Sequence, residues 1–373
     1  EAQGKRDSGF QIFYVFINIG GLVAPFVAPL LRSWWLKVNG FIYNSQLPRL
    51  CHEFISNGTQ SDNFMAEATK SITDPAVLQS LEQGGEAVGA FCTNYLDVFN
   101  AGIHYSFIAS VAAMMISLVI FLVNKKKFPT PAKKAASANA GYTAEEKATM
   151  AKEIKQRMYA LFAVLGVVIF FWLAFHQNGQ SLSLFARDFV NTDKIAPEIW
   201  QAVNPFFVIV LTPIIMWIFG ALGKRGKQIS TPRKIAYGMG IAATAYLFLA
   251  IFSGVMGYPS ATAFRDMDVA QQATMKAGPW VLIATYFFLT VAELFISPLG
   301  LSFVSKVAPK HLLGLCQGLW LGATAVGNLF LWIGPLMYNK MPLWACWSVF
   351  LCMCLLAMGV MLGMVKWLEK VTK

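Results

Sequence analysis

PWVLIATYFFLTVAELFISPLGLSF, residues 279–303, carries a single charged group, Glu293. In hydrocarbon every backbone N–H and C=O must be satisfied within the chain, so about 20 mainly apolar residues cross a bilayer as one helix. This stretch fills a crossing at 279–304. Working outward, seven more segments meet the same test, approximately 10–31, 102–123, 159–185, 198–220, 235–256, 313–337 and 342–367. Composition agrees, with 56% hydrophobic residues, 13% charged residues and a mean hydropathy of +0.53. A soluble domain carries about a quarter charged residues. The pattern predicts an all-α integral membrane protein with eight transmembrane helices.

The basic residues set the orientation, because cytoplasmic loops retain an excess of Lys and Arg. The segment 124–158 holds nine basic residues against three acidic ones, and 221–234 holds five with no acid. Lys306 and Lys310 lie in the next loop on that side, and Lys366, Lys370 and Lys373 close the chain. Between Arg32 and Ala101 the balance reverses, with four basic and seven acidic residues. Eight crossings with both ends cytoplasmic fit this pattern. The net charge of +11 is then a topology signal, and no nucleic-acid partner is expected.

Two connections are long enough to have structure. Residues 33–101 read as an external insertion with short amphipathic pieces such as DPAVLQSLEQ at 74–83, capped at Thr73 or Asp74. Residues 125–140, KKKFPTPAKKAASANA, read as a flexible basic linker, and Thr143 with Glu146 makes a capping box for the helix that follows. Cys316, Cys346, Cys352 and Cys354 fall within spans and read as buried small apolar groups. Cys51 and Cys92 both fall in the external insertion, where a disulfide and two free thiols are equally compatible with the sequence. No zinc-type Cys/His spacing, phosphate-cradling glycine loop or Ser-His-Asp set occurs, so neither metal nor cofactor is expected, and no enzyme. The opening EAQGKRDSGF lacks an apolar signal core, and the first crossing follows at once. The chain reads as a fragment lacking its beginning.

Charges inside a span cost at least about 2.5–3.5 kcal/mol, so they point to function. Glu293 sits near the middle of its helix with Ser297 one turn on and Pro298 beyond, where the proline loosens the helix. Taking a carboxylate out of water favours its protonated form, and a nearby cation favours the ionised one. The position suits either a protonatable switch or a structural ion pair. His176, in FFWLAFHQNGQSLSLFARD, shares a face with Trp172, with Gln177 and Gln180 alongside. It suits either a proton carrier or a neutral hydrogen-bonded residue. Tyr14 and Asn18 share another face, Asn204 precedes Pro205, and Pro213 opens a second weak point. Gln317, Trp320, Thr324 and Asn328 form one stripe, beside Gly314, Gly318 and Gly322, which permit close helix approach. These groups are either interhelical glue or the lining of a polar cavity that changes shape.

RDSGFQIFYVFINIGGLVAP at 6–25 resembles the fifth-helix signature Phe-Tyr-x-x-Ile-Asn-x-Gly of the proton-dependent oligopeptide transporter family, within the major facilitator superfamily. ELFISPLGLSFVSKVAPKHLLGLCQGLWLGATAVGN at 293–328 resembles that family's tenth and eleventh helices. The resemblance implies a major-facilitator-type bundle of which this chain holds helices five to twelve. Residues 1–124 would end the N-terminal bundle, 125–158 would be the cytoplasmic linker, and 159–373 would form the six-helix C-terminal bundle.

It also implies roles. Asn18 and the Asn204-Pro205 pair would contact a peptide, and Glu293 would bind its amino terminus while pairing with a fourth-helix Lys. Trp320, Thr324, Trp172 and Tyr14 would complete the substrate site. His176 stands where many members carry a Glu that takes part in proton coupling, so Glu293 and His176 are the proton-coupling candidates. The implied activity is alternating-access symport of di- or tripeptides with protons across a plasma membrane, the inner one in bacteria. Transport of an amino acid, nitrate or another small anion is the alternative, as is a non-transporting membrane sensor. The first-helix motif and the fourth-helix Lys would precede Glu1, so a chain beginning there is not expected to transport by itself.

Overall fold

The computed structural model describes residues 2–82, 84–127, 144–192, 197–227, 229–309 and 312–371. Among them every regular element is a helix, and only two isolated bridges, Phe41 with Ile72 and Val190 with Ala277, have extended pairing. Eight helical segments are long and apolar enough to cross a membrane: Ser8–Val38, Glu86–Lys127, Ala151–Phe189, Ile199–Lys224, Thr231–Val255, Trp280–Val307, Leu313–Lys340 and Leu343–Val371. They coincide with the eight predicted from hydropathy, and the chain is a multi-pass membrane protein. The linker from residue 128 onward and the Thr143 capping position lie outside the described residues.

The chain divides into two compact units, Val23–Phe128 and Glu1–Leu22 with Pro129–Lys373. The smaller unit is built from the end of α1 (Ala2–Val38), from α2 (Leu47–Asn57), α3 (Phe64–Ser71) and α4 (Pro75–Leu81), and from α5 (Glu86–Asn124). The helix α2 is amphipathic, with Leu47, Leu50, Cys51 and Phe54 on one face and Arg49 and Glu53 on the other. It ends at Gly58, whose φ of 68° lets its N–H reach the Phe54 carbonyl at 2.8 Å. Asp74 caps α4 by accepting from the Ala76 N–H at 2.9 Å, with Pro75 in the first turn.

The long helix α5 starts well before the predicted crossing at 102. Its 39 residues reach about 58 Å at 1.5 Å each, roughly twice the hydrocarbon thickness. Val88, Phe91, Cys92, Tyr95 and Leu96, spaced 0, 3, 4, 7 and 8, give its first turns an apolar face. That face packs with Leu36, Phe41, Leu50, Cys51, Phe64 and Leu81 into a small core of its own. Hydropathy averaged over a crossing hides such an extension.

The larger unit holds α6 (Ala144–Phe175), α7 (Ser181–Phe189), α8 (Val203–Lys224) and α9 (Thr231–Val255). It continues with the short α10 (Ala261–Arg265) and α11 (Val269–Met275), then α12 (Trp280–Val307), α13 (Leu313–Leu329), α14 (Ile333–Lys340) and α15 (Leu343–Val371). The helix α9 packs against α12 and α15 at two glycines. A Cβ on Gly238 would lie 2.7 Å from Ile296 and 2.9 Å from the Ala292 carbonyl, and one on Gly240 would lie 2.7 Å from Met358 Sδ. At one end of this unit Asp188 is gripped by Arg187 at 2.7 Å and accepts from the Tyr338 hydroxyl at 3.2 Å, with Arg265 at 3.8 Å. Elsewhere in the unit Glu369 of α15 meets Arg233 at 2.8 Å and Ser230 at 2.6 Å, beside the start of α9.

Three sequence expectations change. Among the described residues nothing comes within 4 Å of a Cβ on Gly314, Gly318 or Gly322. The close approach on that helix is instead at Gly327, where a Cβ would lie 2.9 Å from the Ile169 carbonyl. Cys316, Cys346 and Cys354 are buried, but Cys352 is exposed, because it lies off the inward stripe of Cys346, Phe350, Cys354 and Ala357. Pro205 occupies the first turn of α8, where its absent N–H sacrifices no helical bond, so it begins the helix and does not weaken it.

Candidate functional site

Glu293 lies mid-way along α12, buried to 4% exposure. The close contact at Gly238 holds the Ala292–Ile296 turn against α9 from behind. Pro298 is accommodated without interrupting α12, although it cannot return an amide to the Leu294 carbonyl. The carboxylate is held by two neutral donors. Tyr14 of α1 donates its hydroxyl to Oε1, and Asn204 of α8 donates Nδ2 to Oε2 at 2.7 Å. The same Asn204 nitrogen donates its other proton to Thr290 Oγ1, one turn earlier on α12, at 3.0 Å. Ser297 and Asn18 lie within hydrogen-bonding reach of the Tyr14 hydroxyl, and Asn18 Nδ2 donates to the Tyr14 carbonyl at 2.9 Å.

Three helices therefore converge on one carboxylate, and Tyr14, Asn18, Asn204 and Glu293 form a single cluster. Each supporting helix is placed by small or apolar contacts. Gly21 of α1 faces Pro205 of α8, where a Cβ would sit 3.7 Å from the ring. Val208, Ile215 and Leu294 form the apolar patch beside it, with Tyr14 packed against them. Among the described residues both hydrogen-bond partners of Glu293 are uncharged donors.

The other candidates form a second cluster on α6 and α13. The Trp172 and His176 rings stack at 5.0 Å with an interplanar angle of 18°. His176 hydrogen bonds with Asn328 of α13, while among the described residues its Nδ1 is buried without a partner, as is the Trp172 indole nitrogen. Trp320 is buried at 2%, its indole laid over Gly300 of α12, and Thr324 Oγ1 turns back to the Trp320 carbonyl at 3.5 Å. The structure thus places Trp320 as packing beneath the stripe, with Thr324 half-buried one turn on.

Two of the predicted crossings, 159–185 and 313–337, are interrupted. After α6 the chain makes a 3-10 turn at His176–Gly179 before α7, and after α13 it turns at Phe330–Trp332 before α14. Broken helices at membrane depth need their freed backbone groups satisfied by protein. Gln177, fully buried, does this by donating Nε2 to the Leu331 carbonyl at 3.2 Å and accepting from Ser181 Oγ at 2.7 Å. Gly334 leaves the necessary room, since a Cβ there would lie 1.9 Å from Gln177 Oε1. Replacing Gln177 with Leu orphans the buried Ser181 hydroxyl and the part-buried Leu331 carbonyl and is expected to cost about 1–3 kcal/mol. A detergent melting curve checks this, and an unchanged midpoint contradicts the account.

Sequence reasoning named Tyr14, Asn204 and Glu293 but not their direct bonds, and it missed Thr290, which only the fold brings to Asn204. It also passed over Gln177 as a companion of His176. The family model described as POT family matches residues 132–343. The chain is 29% identical over 342 residues to "Peptide transporter YePEPT" of Yersinia enterocolitica subsp. palearctica, covering 87% of this chain and 60% of that protein. It is 26% identical over 328 residues to "Dipeptide and tripeptide permease B" of Salmonella typhimurium, covering 85% of this chain and 57% of that protein. The chain therefore spans about three-fifths of the length of these relatives. A crystal structure of a mutant peptide transporter POT in complex with sulfate superposes with a TM-score of 0.53 at 16% identity, covering 99% of this chain and 93% of that one. At that identity the likeness is one of fold.

Proposed function

The chain belongs to the POT family, and from this we propose that it is the later part of a proton-coupled symporter of di- and tripeptides. The observation that carries the reading is the Glu293 carboxylate, buried mid-helix in a membrane-crossing segment where Tyr14 and Asn204 donate to it. A buried carboxylate suits a cationic amino terminus, with which it makes a charge-assisted hydrogen bond. Asn18, on the same helix face as Tyr14, is placed to meet the polar backbone of the same peptide. Trp172 and Thr324 would supply the aromatic and hydroxyl part of the site, with Trp320 packed beneath Thr324 as its support.

Proton binding at Glu293, and at His176 on the second cluster, would compete with the amine and shift the population between two arrangements of the helices. That rearrangement would be largely a rigid-body rocking of helix groups, with the interrupted helices α6–α7 and α13–α14 tied to each other through Gln177. Residues 1–124 would belong to one bundle and 159–373 to the other, joined by the cytoplasmic linker. Both ends of the chain would face the cytoplasm of a bacterial inner membrane.

Uptake of a labelled dipeptide by the full-length gene product in proteoliposomes tests the proposal. Accumulation above the external concentration is expected with an inward proton gradient and not without one. Equal uptake in both conditions removes the coupling, and no uptake across a panel of di- and tripeptides moves the substrate to another small solute.

A further inference from the structure

Six cysteines occur in the chain, and two of them share an environment unlike the rest. Cys51 on α2 and Cys92 on α5 are both fully buried in the small core of the Val23–Phe128 unit, where these two helices pack together. Their thiols face each other within hydrogen-bonding reach, and this mutual bond is the main influence on the Cys51 thiol, pushing its pKa up. Cys316 instead faces Met158 Sδ at 3.9 Å, Cys352 points outward, and Cys346 and Cys354 lie two turns apart on one helix.

We propose that Cys51 and Cys92 are joined as a disulfide in the mature protein, stapling α2 to α5. Two arguments favour a bond over two buried thiols. The core around them is small, with α2, α3 and α4 only 11, 8 and 7 residues long, and cores of that size are commonly reinforced by a cross-link. The bond would also close a loop of about 40 residues, a length at which the unfolded chain loses much freedom. The inference rests on the external placement of residues 33–101 and is independent of what the protein carries.

The chemistry is a two-electron oxidation. Two S–H bonds break and one S–S bond forms, while two electrons and two protons pass to an oxidised disulfide of the thiol-oxidoreductase class, which leaves as a dithiol.

The full chain is expressed in membranes, its free thiols are blocked with N-ethylmaleimide at lysis, and it is then denatured and digested. Mass spectrometry is expected to find a peptide pair linked through Cys51 and Cys92, lighter by two hydrogens than the separate thiols. Prior dithiothreitol should convert the pair to two peptides. Recovery of both cysteines as maleimide adducts without reduction overturns the proposal. Exposed Ser61, changed to Cys in a separate preparation and probed in intact cells with a membrane-impermeant maleimide, reports the side of the membrane on its own. Labelling from outside without a linked pair rejects the disulfide and keeps the topology. Failure of both rejects the disulfide together with its premise.

Discussion

Glu293→Gln in the full-length protein is expected to abolish gradient-driven accumulation of a dipeptide while leaving the fold intact. Gln has nearly the volume of Glu, and its amide oxygen can still accept from the Tyr14 hydroxyl. Its nitrogen would meet Asn204 Nδ2, which now donates to Glu293 Oε2. Flipping the Asn204 amide turns its oxygen toward that nitrogen, at the cost of the bond to Thr290 Oγ1. The net structural loss is then one neutral hydrogen bond, about 1 kcal/mol.

The functional loss is larger. A charge-assisted contact to a peptide amine contributes about 1.5–3 kcal/mol, so affinity should fall by roughly 10- to 100-fold. The site also loses its proton. Counterflow, in which labelled and unlabelled peptide exchange without a gradient, separates the two effects. At saturating peptide, counterflow should persist in the variant and gradient-driven uptake should not. Full gradient-driven uptake by Glu293→Gln would remove this residue from the coupling mechanism.

Those elements were legible that depend on a local pattern. Eight apolar runs give eight crossings because hydrocarbon leaves the backbone no alternative, and Asp74 followed by Pro75 marks a helix start by its own chemistry. Tyr14, Asn204 and Glu293 stood out as polar groups in apolar surroundings. Their mutual bonds did not, since residues 14, 204 and 293 meet only through the packing of three helices.

The two helix breaks differ in how far they were legible. The polar run HQNGQ at 176–180 marks the first, although averaging over a whole crossing absorbs it, whereas Phe330-Leu331-Trp332 carries no dip in hydropathy. The group that makes both tolerable, Gln177, lies 154 positions from the carbonyl it satisfies. Pro205 was read as a weak point because proline disrupts helix interiors, whereas its position in the first turn makes it a favourable residue. The ridge of Gly314, Gly318 and Gly322 matched a packing motif, yet close approach requires a partner, and the partner of this helix meets it at Gly327.

The meeting of Gly300 and Trp320 was equally hidden, and it yields the second large effect. A Cβ on Gly300 would fall 1.9 Å from Trp320 Cζ2 and 2.1 Å from Cη2, far inside contact distance. In an exposed helix, Gly→Ala adds about 1 kcal/mol of stability. Here the indole must move first, and it is buried at 2% within the core cluster. Overpacking of this kind costs about 1–3 kcal/mol and more where the neighbour is rigid. Gly300→Ala is therefore expected to lower the melting midpoint in detergent by several degrees, the opposite sign to the helix preference. Trp320→Leu should destabilise alone, through the cavity it leaves. Combined with Gly300→Ala it should cost less than the sum of the two, because the added methyl enters the space the indole vacates. Additive losses would mean that the two residues do not share this contact. Under the proposed function the pair also distinguishes ligand contact from support. Displacing the indole by Gly300→Ala alters no polar group at Glu293. A change in peptide affinity with coupling preserved would therefore place Trp320 at the substrate, and unchanged affinity would leave it as the floor on which Thr324 and Asn328 are carried.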